Sequence, residues 1–172
     1  AGEPADGVFG DADALAIIAR QKALNFPTGT QYLYSNSGYF LLGQIVKRVS
    51  GQTLRDFAAK NIFQPLAMST AQFRPDHAAL IKQRAHAYAA RSNGSYAASE
   101  PNFDVYGAGG LFMPVRDFLP WDENFYSGQV GGKDFVASLA VPGKLNDGKT
   151  LNYAFGLMVG KYRGLAIVEH GG

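Results

Sequence analysis

Cysteine does not occur anywhere in these 172 residues, which removes disulfides, thiolate zinc sites, iron–sulfur clusters and a cysteine nucleophile together. It does not choose a compartment, since a chain without Cys is at ease on either side of a membrane. No apolar run approaches the ~18 residues of a spanning helix. The opening Ala1-Gly2-Glu3-Pro4 has neither the basic nor the apolar region of an export signal. With no initiator Met, the chain reads as a processed product or an excised fragment. Charge of one sign is missing too: 16 Lys and Arg face 14 Asp and Glu, for a net +2. No basic run is longer than Lys47-Arg48, so the electrostatic footprint of a nucleic-acid binder is lacking. What is present is an apolar fraction of 47% and a charged fraction of 17%, enough for a core and incompatible with a disordered, collagen-like or coiled-coil chain. The length suits one domain or one large lobe.

Punctuation along the chain predicts the elements. From Asp11 to Leu24 acids come first and bases late, as the helix dipole favours. A second helix is predicted from a cap at Asn36 to a stop at Gly51. Tyr39, Leu42, Ile45, Val46 and Val49 recur on one face of it, and that face is expected to be buried. Thr53 with Asp56 forms a capping box for a third helix that ends before Pro65. Asn93-Gly94 suits a tight turn between strands at 84–90 and 95–98. Pro114 can open a helix that Pro120 should kink or end. The segments 153–161 and 165–169 read as a closing hairpin around Tyr162-Arg163-Gly164.

The densest polar cluster is Tyr34-Ser35-Asn36, in the loop that feeds the second helix. A capping loop would also use these residues, so the wider context decides. Pro27-x-Gly29-Thr30-x-x-x-Tyr34-Ser35-Asn36-x-Gly38-Tyr39-x-Leu41-Leu42-Gly43 resembles the second motif region of the serine β-lactamase and penicillin-binding-protein-like hydrolases, the class C type with its esterase and peptidase relatives. Pro65-Leu66-Ala67-Met68 resembles that family's Pro-Leu-Gly-Met turn, with Ala67 where Gly is usual. Gly107-Ala108-Gly109-Gly110-Leu111 with Arg116-Asp117 and Trp121, and the final His170-Gly171-Gly172, follow in the family's order.

The resemblance implies an α+β fold: mainly the helical lobe (1–150) of the serine β-lactamase-like fold, plus one antiparallel hairpin (151–172) of its sheet, together a single partial domain over 1–172. It implies catalytic roles for Tyr34 and His170 and substrate-binding roles for Asn36, Gly171 and Gly172. In such enzymes a Ser-x-x-Lys nucleophile is acylated and the Tyr moves protons. A phenol titrates near ~10 and is a poor base unless cations stabilise its phenolate or it relays protons while neutral. Asn suits an amide that both donates and accepts. His170 and Gly171 stand where β-lactamases carry a cationic Lys and a hydroxyl, which favours ester or D-amino-acid peptide substrates over β-lactams. No Ser or Thr here is followed three residues later by Lys. The nucleophile is therefore expected outside this stretch, leaving an interior segment that does not turn over alone. No cofactor or metal is implied, the expected partner is a small-molecule substrate, and family members are often exported to the bacterial periplasm.

Other readings are a non-catalytic ligand-binding module that kept the cleft, and a lipase-like α/β-hydrolase fragment in which His170-Gly171-Gly172 is the oxyanion loop. The Gly-x-Ser-x-Gly elbow that the latter needs is not in the chain. Phe112 breaks the glycine pattern of a phosphate loop at 107–112. His77 and His86, nine residues apart without an obvious carboxylate pair, make a poor zinc site.

Overall fold

The computed structural model describes residues 7–100 and 103–172. In chain order its elements are β1 (Phe9–Gly10), α1 (Asp11–Ala19), α2 (Asn36–Ser50), α3 (Leu54–Ala58), β2 (Gln72–Phe73), β3 (Tyr88–Ala90), β4 (Tyr96–Ala98), β5 (Phe103–Asp104), β6 (Leu111–Phe112), α4 (Phe118–Ser127), α5 (Lys133–Leu139), β7 (Met158–Tyr162) and β8 (Leu165–Glu169). The strands form two-stranded pairs: β1 with β5 in parallel, and β2 with β6, β3 with β4 and β7 with β8 antiparallel. The α+β architecture and its closing hairpin are as expected, and the pairs β1–β5 and β2–β6 are additions. Among the described residues no helix is long and apolar enough to cross a membrane.

Two compact units share the chain. The first comprises the residues up to Arg20, Asn36–Phe57 and Gln72–Phe112; the second comprises Gln21–Ser35, Ala58–Ala71 and Met113–Gly172.

In the first unit, the Asp13 carboxylate accepts a hydrogen bond from the Gly10 N–H at 3.0 Å and so caps α1. The helix stops at Ala19, short of the expected Leu24. The Arg20 N–H bonds Ile17 O in a tighter turn, and from Gln21 the chain belongs to the other unit. Helix α2 keeps its expected bounds, with Gly51 at φ +72 bonding Lys47 O. Its buried face is a correction: Phe40 and Gly43 are inside, whereas Leu42, Ile45 and Val49 are exposed. The reason is steric. A Cβ on Gly43 would lie 3.2 Å from Tyr106 O, and one on Gly107, at φ +115, would lie 2.8 Å from Tyr39 O, so the 105–110 loop rests on the helix backbone itself. The predicted turn at Asn93-Gly94 joins β3 to β4, with Gly94 at φ +81 and Arg91 N bonded to Ser95 O at 2.8 Å. Strand β3 begins at Tyr88 rather than near Arg84.

The capping box holds: Asp56 N donates to Thr53 Oγ1 at 3.1 Å, and the hydroxyl donates to the Asp56 carboxylate at 2.8 Å. Helix α3 then runs on as a π-helical turn, Ala59–Phe63.

Most of the core lies in the second unit, where Ala58, Phe63, Leu66, Met68 and Val136 are buried. Two buried polar side chains stitch its loops. The Asp117 carboxylate accepts from the N–H and hydroxyl of Thr70 at 3.1 and 2.9 Å. Asn124 accepts from Val130 N–H and donates to Val130 O, closing the loop after α4. Pro120 does not break its helix, another correction. A short 3-10 turn (Val115–Asp117) leads into α4, and Pro120 is the third residue of α4, where a backbone N–H has no intrahelical partner to lose. The hairpin β7–β8 turns through Arg163 at φ +50 and Gly164 at φ +85, a type I′ geometry matched to strand twist. Ala67 sits at φ +55, a left-handed conformation that disfavours a Cβ.

Two glycine exchanges test these local readings. Ala67→Gly is expected to raise stability by about 1 kcal/mol, and Gly107→Ala to lower it by about 3 kcal/mol through strain and overlap. Gly109→Ala, where an added Cβ meets nothing within 4 Å, is the control and should stay within about 0.5 kcal/mol of the parent. Urea denaturation of the three variants checks the order.

Candidate active site

The loop carrying Tyr34 is fixed before it reaches the tyrosine. Thr30 N and Oγ1 both bond Pro27 O, at 3.1 and 2.7 Å, to close a turn. Asn146 ties that turn down, its N–H bonding Gly29 O at 2.9 Å and its amide donating to Thr28 O at 3.0 Å. Gly29, at φ +79, leaves the space that the Asn146 side chain fills; a Cβ there would meet it at 2.3 Å.

From this anchored turn the chain presents Tyr32 and Tyr34, each about half exposed, beside Tyr153 and His170. Ring centroids lie 5.2 Å apart for Tyr32–Tyr153, 6.2 Å for Tyr34–Tyr153 and 5.8 Å for Tyr34–His170. All four residues belong to the second unit. Tyr34 and His170, far apart in sequence, are thus brought together. Asn36 belongs to the first unit, where it is the first residue of α2 and lines a mainly apolar cavity of about 200 Å³ with Phe9, Ile17, Phe40 and Val105. Gly171 and Gly172 follow β8 and are exposed, with nothing near where a side chain would project.

Tyr153 is the residue that sequence reasoning missed. Counted there as one more apolar strand residue, it places its hydroxyl 3.2 Å from His170 Nε2. His170 Nδ1 lies 2.5 Å from the Gly171 carbonyl oxygen, which can only accept. In the neutral imidazole Nδ1 therefore carries the proton, and Nε2 accepts from the Tyr153 O–H. A β-prone segment holding one tyrosine five residues after Gly148 was the available signal, and it does not distinguish a packing ring from a hydrogen-bonding one.

Burial raises the Tyr32 phenol above its ordinary value of 10.0, with the neighbouring Tyr34 adding to the effect. His77 and His86 are each paired with a carboxylate, Asp104 at 3.1 Å and Glu100 at 2.9 Å. Among the described residues no three His, Cys, Asp or Glu side chains gather as metal ligands.

The Beta-lactamase family profile matches residues 1–172. The chain belongs to that family. It is 28% identical over 171 residues to a D-aminopeptidase of Cereibacter sphaeroides, an alignment covering 99% of this chain and 33% of that protein. The octameric penicillin-binding protein homologue from Pyrococcus abyssi shares the fold at a TM-score of 0.79 and 23% identity, over 94% of this chain and 38% of that one. A D-stereospecific amidohydrolase from Streptomyces aligns at a TM-score of 0.75 and 20% identity, over 94% and 49%. The chain spans about a third of the length of the curated relatives it matches.

Two measurements follow from this geometry. Nitrogen NMR of the His170 ring should show mainly the Nδ1–H tautomer, and Tyr153→Phe should shift the Nε2 resonance by removing its donor while the Nδ1–H bond to Gly171 O keeps the tautomer. Tyr32 and Tyr106 are both raised above 10.0, chiefly by burial, so the folded state holds their protons more tightly than the unfolded chain. Their contribution is complete below pH 10 and is lost as pH rises through the folded values. Chemical denaturation across the alkaline range should show stability falling there, less steeply in Tyr32→Phe.

Proposed function

We propose that the chain is the part of a serine hydrolase that carries the proton-relaying Tyr34 and the His170-Gly171-Gly172 strand end, in a polypeptide whose Ser-x-x-Lys nucleophile lies outside these 172 residues. The reaction is acyl transfer. The serine attacks an amide or ester carbonyl, the leaving group departs with a proton delivered through Tyr34, and water releases the acid. The observation that carries this reading is the meeting of Tyr34 and His170 across one aromatic cluster, rings 5.8 Å apart. An imidazole, its Nε2 bonded by the Tyr153 hydroxyl, stands at the strand end in place of an ammonium. Asn36, with a donor and an acceptor on one amide, would hold the acyl-side carbonyl, and Gly171 and Gly172 would leave the substrate backbone room to lie along the strand end. Residues 1–150 would then act as the helical lobe of the catalytic domain and 151–172 as a hairpin of its sheet.

The substrate class follows from the same residues. A site with an imidazole and a glycine at the strand end, in place of an ammonium and a hydroxyl, binds a β-lactam carboxylate poorly and suits amides or peptides of D-amino acids, with esters as secondary substrates. The names of the relatives, D-aminopeptidase and D-stereospecific amidohydrolase, support this choice.

Burst kinetics test it. Residues 1–172 alone should give no acyl-enzyme burst with a p-nitrophenyl ester, a D-alanine p-nitroanilide or a chromogenic cephalosporin. A longer polypeptide that contains Ser-x-x-Lys should hydrolyse the D-alanine substrate in preference to the cephalosporin. Tyr34→Phe in that polypeptide should lower the acylation rate ~100-fold or more with little change in KM. A burst from residues 1–172, or a preference for the cephalosporin, overturns the assignment. Saturable substrate binding with no turnover by any longer form would support the non-catalytic module instead.

A further inference from the structure

Helix α2 presents to water the side that a helix ordinarily hides. An exposed helix turns its apolar stripe to the protein and its polar residues to solvent. In α2 the polar side chains lie on the protein's side: Gln44 donates to the Asp11 carboxylate of α1 at 2.8 Å, and Lys47 Nζ lies 3.9 Å from it. Phe40 and Gly43 are buried on that same side, where the 105–110 loop rests on the helix backbone. The opposite side carries Leu42, Ile45 and Val49, which are 51%, 56% and 81% exposed. Leu41 and Val46 flank it, half-buried. From Phe40 to Val49 the one remaining polar side chain is Arg48, which is exposed at the rim of this stripe.

A helix that is apolar around most of its circumference belongs in an interior. The loop and α1 supply that interior on one side only. On the other side Leu42, Ile45 and Val49 recur at intervals of three and four residues. They form a seam one side chain wide and about 10 Å long, the width that one facing helix covers with its own apolar row.

Area decides where that helix comes from. Three side chains of this size, exposed by half to four-fifths, present on the order of 250 Å². A standard interface between separate molecules covers ~800 Å² on each partner. A second copy or an independent protein must offset its lost translational and rotational freedom, and a patch this small falls short of doing so. A segment joined to the same chain has no such loss to offset. The curated relatives are about three times as long as these residues, and a polypeptide of that length has room for the segment. We propose that the Leu42, Ile45 and Val49 side of α2 is an intramolecular docking face, covered by an apolar helix from another part of the same, longer polypeptide. The proposal shares with the hydrolase reading only the premise that the polypeptide extends beyond these residues, and it uses no catalytic side chain. Once covered, α2 is a central helix, and the burial that its apolar pattern predicts is restored.

Because these residues contain no cysteine, an introduced thiol reports on one position. Ile45→Cys and Val49→Cys each place a thiol in the stripe, and Arg48→Cys places one at its rim. Val49→Cys changes side-chain volume little, so the fold is kept. Alkylation by iodoacetamide, followed by mass spectrometry of digests, is compared between residues 1–172 and the longer polypeptide. In residues 1–172 all three thiols should react within ~3-fold of their rates in the urea-unfolded chain. In the longer polypeptide the Ile45→Cys and Val49→Cys thiols should react ~100-fold or more slowly, reachable only through local opening, while the Arg48→Cys thiol stays within ~10-fold of its unfolded rate. Alkylation reads no turnover, so its failure is distinct from a failure of the burst kinetics. Equal rates in the two forms at positions 45 and 49 would overturn the proposal, as would protection at 48 as strong as at 45. Protection in residues 1–172 alone that grows with their concentration would also overturn it, in favour of a second copy.

Discussion

In the first unit a helix and a loop meet backbone to backbone. Gly43 lets Tyr106 O approach α2, and Gly107 lets the loop lie against Tyr39 O, at separations that would not accommodate a methyl group. This contact sets the height and rotation of α2. Two cavities of the unit border it. One is walled by Gly43, Gln44 and Tyr106, the other by Asn36, Phe40, Val105 and Ala108. Two glycines therefore govern the placement of Asn36 at the helix start and of the Tyr106 backbone against the helix. Packing density leaves no slack to absorb a change there.

The second unit relies on a different device. Its loops are held by polar side chains used as clasps: Asp117 on Thr70, Asn124 on Val130 and Asn146 on the 28–29 turn. Two of these, Asp117 and Asn124, are buried, so each bond is worth more than its surface counterpart, and losing a partner would strand a desolvated group. The Tyr32, Tyr34, Tyr153 and His170 cluster rests on this clasped framework. It is a half-open aromatic surface on a stiff support, an arrangement suited to groups that must keep their positions and still meet a substrate.

How far the sequence disclosed this depended on whether the deciding contact was local. The bounds of α2, the Thr53–Asp56 box and the turns at Asn93-Gly94 and Arg163-Gly164 follow from residues within a few positions of one another, and they were legible. Which stripe of α2 is buried was not, because Leu42, Ile45 and Val49 are as apolar as Phe40, and only the approach of the distant Gly107 loop selects between them. Pro120 misled because its cost depends on its place in the first turn, which the difference between an expected start at Pro114 and the observed start at Phe118 decides. Helix α5 was not foreseen at all. Tyr34 and His170 were found through their motifs. Tyr153 was hidden, since a hydroxyl that reaches an imidazole looks in sequence like any strand tyrosine.

Each named strand pairs with one other, and β7 is also bridged on its outer side at its start, where Met158 meets Tyr153 and the Val159 N–H bonds Asn152 O at 2.8 Å. For the two-residue pairs an open side matters little. The β7–β8 hairpin is longer, with five residues in each strand, and Met158, Tyr162, Leu165 and Val168 are exposed. Along the outer side of β8 run backbone donors and acceptors that water satisfies only provisionally and that another extended segment would satisfy better. The outer side of β8 is thus the edge on which another strand would add. Whether the added strand comes from the same polypeptide or from a copy is then settled by effective concentration, with tethered strands favoured over dissolved ones.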